Sequence, residues 1–130
     1  MIKLQPVLKD YLWGGEKLKT LFGREKDGII AESLEVSIHK DGESTISGTD
    51  KTFAEYLKEN KNAVDLNGGE FPVLIKYIDA AKNLSVQVHP NDEYAQKYEH
   101  DNGKTEMWYI ISADDDAGIY CGFKRDASQE

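Results

Sequence analysis

LSVQVHPND, residues 84–92, alternates apolar and polar side chains up to a proline, and its reading decides the fold. On a strand successive side chains take opposite faces, so Leu84, Val86 and Val88 point one way and Ser85, Gln87 and His89 the other. The first row is written for burial; the second sets a hydroxyl, an amide and an imidazole in line. Working outward, AESLEVSI (31–38) repeats the pattern with Leu34, Val36 and Ile38 against Ser33, Glu35 and Ser37, and the turn residues HKDGES predict a hairpin after it. FPVLIKYIDA (71–80) is almost continuously apolar, as a strand covered on both sides would be. KTEMWYII (104–111) alternates again, and GIYCGF (118–123) supplies a last strand after the turn ADDDAG.

Two short helices interrupt the strands. In GTDKTFAEYLKEN, Thr52 predicts an N-cap, Glu55 completes a capping box, and Phe53, Tyr56 and Leu57 share a face. Pro90 with Asn91 or Asp92 stops the strand and caps DEYAQKYE, where Tyr94, Ala95 and Tyr98 recur at helical spacing. About seven strands result, close to but short of the full set of a jelly roll. The expectation is therefore a mainly β chain, an incomplete jelly-roll barrel with two or three short helices, forming a single domain over residues 1–130.

Composition narrows the function. With 39% hydrophobic and 31% charged residues the chain reads as an ordinary soluble globular protein, and no run of about twenty apolar residues could cross a bilayer. The start, MIKLQPVLKDYLWGG, has no secretory pattern, and Cys121 as the single cysteine excludes an intrachain disulfide, which suits a cytoplasmic protein. A net charge of −8 argues against nucleic acid as partner, and a phosphorylated ligand would need a few well-placed cations.

Parity puts Lys104, Glu106, Trp108 and Ile110 on one face of the second strand. Residues two apart on a strand lie about 6.5 to 7 Å apart at Cα, near enough to converge on one ion. If both strands face a common cavity, Gln87, His89 and Glu106 form a nitrogen-and-oxygen ligand set suited to Zn²⁺ or a similar divalent metal, with open positions of the catalytic kind. The same residues also fit plainer roles: a histidine before a proline commonly holds a turn, and Lys104 with Glu106 fits a solvated face with a weak ion pair.

YLWGG, FPVLIKYIDA, LSVQVHPND and GKTEMWYI, in this order, resemble the type I mannose-6-phosphate isomerases, the zinc-dependent phosphomannose isomerases, with QVHP and GKTE as the specific segments. The resemblance implies a cupin-like fold and an aldose–ketose isomerase interconverting mannose 6-phosphate and fructose 6-phosphate through an enediol or enediolate. It also implies one zinc ion bound by residues matching Gln87, His89 and Glu106, plus a histidine from well downstream. Ser85 and Lys104 match positions lining the sugar-phosphate pocket, Lys104 being suited to stabilise the enediolate, and Trp13 is a candidate wall of that pocket. The family's chains are much longer, and this one stops at DASQE without the downstream histidine or a downstream active-site arginine. The cupin-like metal-binding domain is thus expected to be truncated at its C-terminal end, leaving an unpaired sheet edge that favours self-association. His39 (IHKDG) and His100 (YEHDNG) read as surface residues of a turn and a helix end, and Leu34 stands where the family often has Trp. Beside the isomerase stand two alternatives: a non-catalytic fragment binding metal or sugar phosphate without turnover, and a purely structural interaction module.

Overall fold

The structure, a computed structural model, describes residues 1–64, 66 and 69–125. The terminal DASQE lies outside them. The chain divides into two compact units, Met1–Leu84 and Ser85–Glu130.

The first unit holds the sheets. β2 (Val7–Lys9), β3 (Glu32–Val36) and β5 (Ile75–Ile78) form a three-stranded antiparallel sheet with β3 in the middle, while β1 (Leu4–Gln5) pairs with β4 (Thr45–Ile46). Val7 lies opposite Leu34, and Leu34 opposite Lys76. The core gathers at this centre: Ile30, Ala31, Leu34, Leu18 and Phe53 are buried. α2 (Phe53–Glu59) starts as its sequence predicts, with Thr52 and Glu55 closing a capping box, and Phe53 meets Phe71 edge-on at 5.1 Å.

Several expectations are corrected here. The polar face of AESLEVSI is not solvated: Ser33 and Ser37 are fully buried, and Arg24 donates from Nη2 to Glu35 (2.6 Å) and from Nε to the Ser33 hydroxyl (3.2 Å). A register shift between Leu34 and Val36 bends β3, and the buried Ser44 hydroxyl donates toward the Leu34 and Glu35 carbonyls at the bulge. The turn after β3 forms, with the Gly42 N–H on the His39 carbonyl, yet no simple hairpin follows, because Thr45 and Ile46 take β1 as their ladder partner. FPVLIKYIDA becomes a strand only from Ile75, and Val73, Leu74 and Ile75 stay substantially exposed instead of buried on both sides.

One further helix, α1 (Lys17–Phe22), went unread in the sequence although Gly23 marks its end in a left-handed conformation (φ 61°). The buried Asp79 carboxylate accepts the Lys17 N–H at 2.6 Å, and Phe22 stacks on Tyr77 at 4.2 Å. The WGG triplet before α1 exists for close approach: a Cβ on Gly14 would lie 2.6 Å from Ala31 Cα, and one on Gly15 would lie 2.5 Å from the Asp79 carboxylate. Gly14→Ala is therefore expected to cost about 1–3 kcal/mol by overpacking, read as a lower urea midpoint with an unchanged slope. A midpoint equal to wild type would contradict this close-packed account of the triplet.

In the second unit α3 (Asp92–Tyr94) is capped by Asn91, whose side chain accepts the Tyr94 N–H, and runs into a π-helical segment, Ala95–Glu99. His100 ends that segment at φ 56°. Residues 84–89, 104–111 and 118–123 join no ladder among the described residues, so these expected strands are not formed as such. Val86 and Val88, on the side written for burial, are each at least 80% exposed, and so are Met107 and Tyr109. Nothing among the described residues supplies the neighbouring strands that would cover them.

Candidate metal and substrate site

The polar sides of the two segments meet even without a ladder. The Lys104 N–H donates to the Pro90 carbonyl at 3.0 Å, and the Gly103 N–H donates to the Asp92 carboxylate at 2.9 Å. A Cβ on Gly103 would lie 2.4 Å from Asp92 N and 2.5 Å from the Asn91 carbonyl carbon, so only glycine lets the backbones approach this closely. One residue after His89 and two before Glu106, the Pro90–Lys104 bond fixes which residues face each other. Gly103→Ala is expected to push the segments apart and break the Lys104–Pro90 bond. Amide hydrogen exchange reads it; Lys104 N–H protection unchanged from wild type would contradict the crossing as the device that sets the pairing.

His89 Nε2 lies 3.2 Å from Glu106 Oε2. The Lys104 ammonium donates to Glu106 Oε1 at 2.9 Å and sits 3.3 Å from His89 Nε2. A protonated Nε2 donates to the carboxylate, whereas a bare Nε2 accepts from Lys104; one nitrogen cannot do both. The side chains of His89 and Glu106 are each about three-quarters sheltered.

Partial burial by itself raises the Glu106 pKa, but the Trp108 side-chain hydrogen bond, then the bond and charge of Lys104, then the His89 charge outweigh it and hold the carboxyl at about 2, below its ordinary 4.5. Because the folded value is the lower one, this cluster's contribution to stability is fully present above about 4.5 and is lost as pH falls through about 2. Carboxyl carbon NMR of the metal-free chain is expected to show Glu106 still ionised at pH 3.5; a midpoint near 4.5 would contradict it.

Gln87 and Ser85 are exposed, and the Gln87 amide donates to the Ser85 hydroxyl at 3.2 Å, leaving the Gln87 carbonyl oxygen as its acceptor end. Trp13, in the first unit, is half-buried and stacks on Tyr11 at 5.6 Å, and its carbonyl accepts the Ala81 and Lys82 N–H groups. Those contacts are a packing role for Trp13. His39 is half-exposed in its turn, 3.6 Å from Asp41, and His100 caps the π-helical segment, as their surface reading expected. Among the described residues no group of three or more His, Cys, Asp or Glu gathers, so a larger ligand set here would need another donor type, such as the Gln87 amide, or a donor from outside them. Sequence reasoning missed the crossing of Gly103 with Asn91 and Asp92, although the glycine before Lys104 was a signal for close backbone approach.

Does a divalent cation fit this set? Ligands about 2.0–2.2 Å from a tetrahedral zinc lie roughly 3.4 Å apart, and the His89–Glu106 gap of 3.2 Å is close to that edge without rearrangement. An imidazole and a carboxylate are zinc donors, and the Lys104 ammonium already shows that the pair accepts a positive charge.

Strands with few short helices make this a mainly β chain, and its second unit carries a nitrogen-and-oxygen donor cluster with one charged pair. The family follows from comparison: residues 1–125 match the model of "Phosphomannose isomerase type I, catalytic domain", and the chain belongs to that family. It is 40% identical to the "Probable mannose-6-phosphate isomerase GmuF" of Bacillus subtilis (strain 168), over 98% of this chain and 42% of that protein. The crystal structure of the mannose 6-phosphate isomerase from Bacillus subtilis matches at a TM-score of 0.78 and 36% identity, over 87% of this chain and 38% of the other. A mannose 6-phosphate isomerase bound with zinc and yttrium matches at 0.62 and 31%, over 75% and 27%. The chain thus spans about two fifths of the length of these Bacillus subtilis relatives. These likenesses bear out the mainly β, incomplete-barrel reading of the fold. No helix among the described residues is long and apolar enough to cross a membrane.

Proposed function

We propose that this chain carries the zinc-binding part of an aldose–ketose isomerase that interconverts mannose 6-phosphate and fructose 6-phosphate. The observation that supports it most is the triangle of His89, Glu106 and Lys104, closed at 3.2, 2.9 and 3.3 Å. Both units belong, in this reading, to one cupin-like metal-binding domain of a cytoplasmic protein, and the exposed side of Val86, Val88, Met107 and Tyr109 is a contact surface of the larger family fold. Self-association through an unpaired sheet edge is part of the same proposal, tested by light scattering.

His89, Glu106 and the Gln87 carbonyl oxygen would hold one zinc ion. Bound there, zinc supplies a Lewis acid for the sugar oxygens on which negative charge develops. The chain's own residues do the rest. Isomerisation moves a proton between C1 and C2 of the sugar through an enediolate, and its barrier lies in that anion. Lys104, held beside the site by Glu106, presents an ammonium to the developing oxyanion or to the phosphate. The Ser85 hydroxyl, already oriented by Gln87, hydrogen-bonds a sugar hydroxyl or phosphate oxygen. Glu106, paired with Lys104 and facing His89, would serve as a ligand, which makes it a poor candidate for the proton-transferring base.

Among the described residues the donor set is short of a full zinc shell, which favours a second reading, metal binding without turnover. One experiment separates them: conversion of mannose 6-phosphate to fructose 6-phosphate by purified chain, with zinc content measured on the same sample. Turnover with about one zinc per chain supports the isomerase, zinc without turnover supports the second reading, and neither contradicts both.

A further inference from the structure

Asn102–Gly103 links the end of the π-helical segment to Lys104. An asparagine followed by glycine is open to cyclisation, because no Cβ stands between the glycine nitrogen and the asparagine side-chain carbon. The Gly103 nitrogen would bond to Asn102 Cγ, and its proton and the side-chain amino group would leave together as ammonia. Water then opens the resulting succinimide at either carbonyl, leaving aspartate or isoaspartate at 102. Asn102 is exposed, so neither its amide nor water is shut out. The nucleophile, however, is engaged: the Gly103 N–H donates to Asp92 Oδ1 at 2.9 Å, and the Lys104 N–H donates to the Pro90 carbonyl at 3.0 Å. Attack needs the face of the Gly103 peptide plane turned toward Cγ, and these bonds on either side of Gly103 Cα hold the chain against the 90–92 segment. Packing adds to the restraint, since even the missing Cβ would sit 2.9 Å from the Pro90 oxygen. The sequence's other Asn–Gly pair, 67–68, lies outside the described residues.

We propose that Asn102 is a latent modification site, deamidating to aspartate or isoaspartate, and that Asp92 holds the reaction back by keeping the Gly103 N–H. The inference stands on the crossing alone and does not need the metal reading. A carboxylate acceptor gives one of the stronger hydrogen bonds a backbone N–H can make, so breaking it first slows every attack on Cγ. Isoaspartate at 102 would route the backbone through an additional carbon and add a carboxylate two residues from Lys104. Gly103 and Lys104 could then no longer both meet their partners on the 90–92 segment, so the modification undoes the crossing that had delayed it.

The test is timed incubation of the full 130-residue chain at neutral pH, followed by mass spectrometry of tryptic peptides, in which Asn102 falls in 98–104 and the other pair in 62–76. Asp92→Ala removes the acceptor, Asp92→Asn keeps an acceptor oxygen in its place, and wild type unfolded in urea gives the unguarded rate. Asp92→Ala is expected to deamidate at 102 about tenfold faster than folded wild type, the scale of one charge-assisted hydrogen bond, and Asp92→Asn to stay within about threefold of it. Folded wild type reacting as fast as the unfolded chain overturns the proposal. So does an Asp92→Ala chain that reacts no faster than wild type; a slower one would make the carboxylate a helper of the attack and overturns it equally. Asp92→Asn as fast as Asp92→Ala would reduce position 92 to support of α3 and defeats the guarding bond. Chain already converted to isoaspartate at 102 is expected to have lost exchange protection at the Lys104 amide, and retained protection contradicts the claimed effect on the crossing.

Discussion

Glu106→Gln is expected to lower zinc affinity by about 100-fold or more, the largest loss of any single change in the second unit. The amide matches the carboxylate in shape but carries no charge, so it abandons the attraction for a dication and also the pairing with Lys104 at 2.9 Å. The substitution further loosens His89, which would then face an amide in place of a carboxylate at 3.2 Å. Because the side chain is about a quarter exposed and belongs to no ladder, the fold itself is expected to survive, with an unchanged far-ultraviolet circular dichroism spectrum. Calorimetric titration with zinc reads the effect. A Glu106→Gln chain that binds zinc as tightly as wild type would remove Glu106 from the ligand set.

Lys104→Met is expected to move two observables in opposite directions. In the metal-free chain the ammonium bridges Glu106 Oε1 and His89 Nε2, the same pair a zinc ion would bridge. Removing it frees both ligands from a competing cation, and zinc should bind about fivefold tighter, the scale of one partly exposed ion pair. Turnover, where the chain supports it, should fall about 10²–10³-fold, because a preorganised donor to a developing oxyanion is lost. Lys104→Arg keeps a cation and is expected to leave zinc affinity near wild type. A lysine that merely decorated the surface would change neither quantity, and a loss of zinc affinity in Lys104→Met would contradict its role as a competing cation.

Local signals were legible because their physics is local. The capping box from Thr52 to Glu55 needs only four residues, and it forms as read. Parity needs only a two-residue period, and it put Lys104, Glu106 and Trp108 on one face. That face meets His89 although neither segment enters a ladder, because the Pro90–Lys104 bond and the side-chain-free Gly103 set the pairing. What failed was long-range. Thr45 and Ile46 looked like the return arm of a hairpin, yet their partner is Leu4–Gln5 at the other end of the first unit, a choice no local pattern encodes. Alternation in AESLEVSI separated an apolar row from a polar one, but it could not show that Arg24 would close over Ser33 and Glu35 and help shelter the polar row.

Val86 and Val88 show the converse: their alternation read as a face for burial, yet both are exposed, and no strand among the described residues covers them. Trp108 was legible in position but not in role, since an aromatic on a strand face is most simply a packing residue. Its ring stays half-exposed, which alternation cannot express.

The central claim is that His89 and Glu106 grip one cation. Anomalous diffraction at the zinc edge from crystals of the chain soaked in zinc tests it most directly. The expected peak lies about 2.0–2.2 Å from both His89 Nε2 and a Glu106 carboxylate oxygen, with the Lys104 ammonium moved away. Zinc bound instead at the His39–Asp41 turn or at His100, or touching only one of the pair, would contradict the claim.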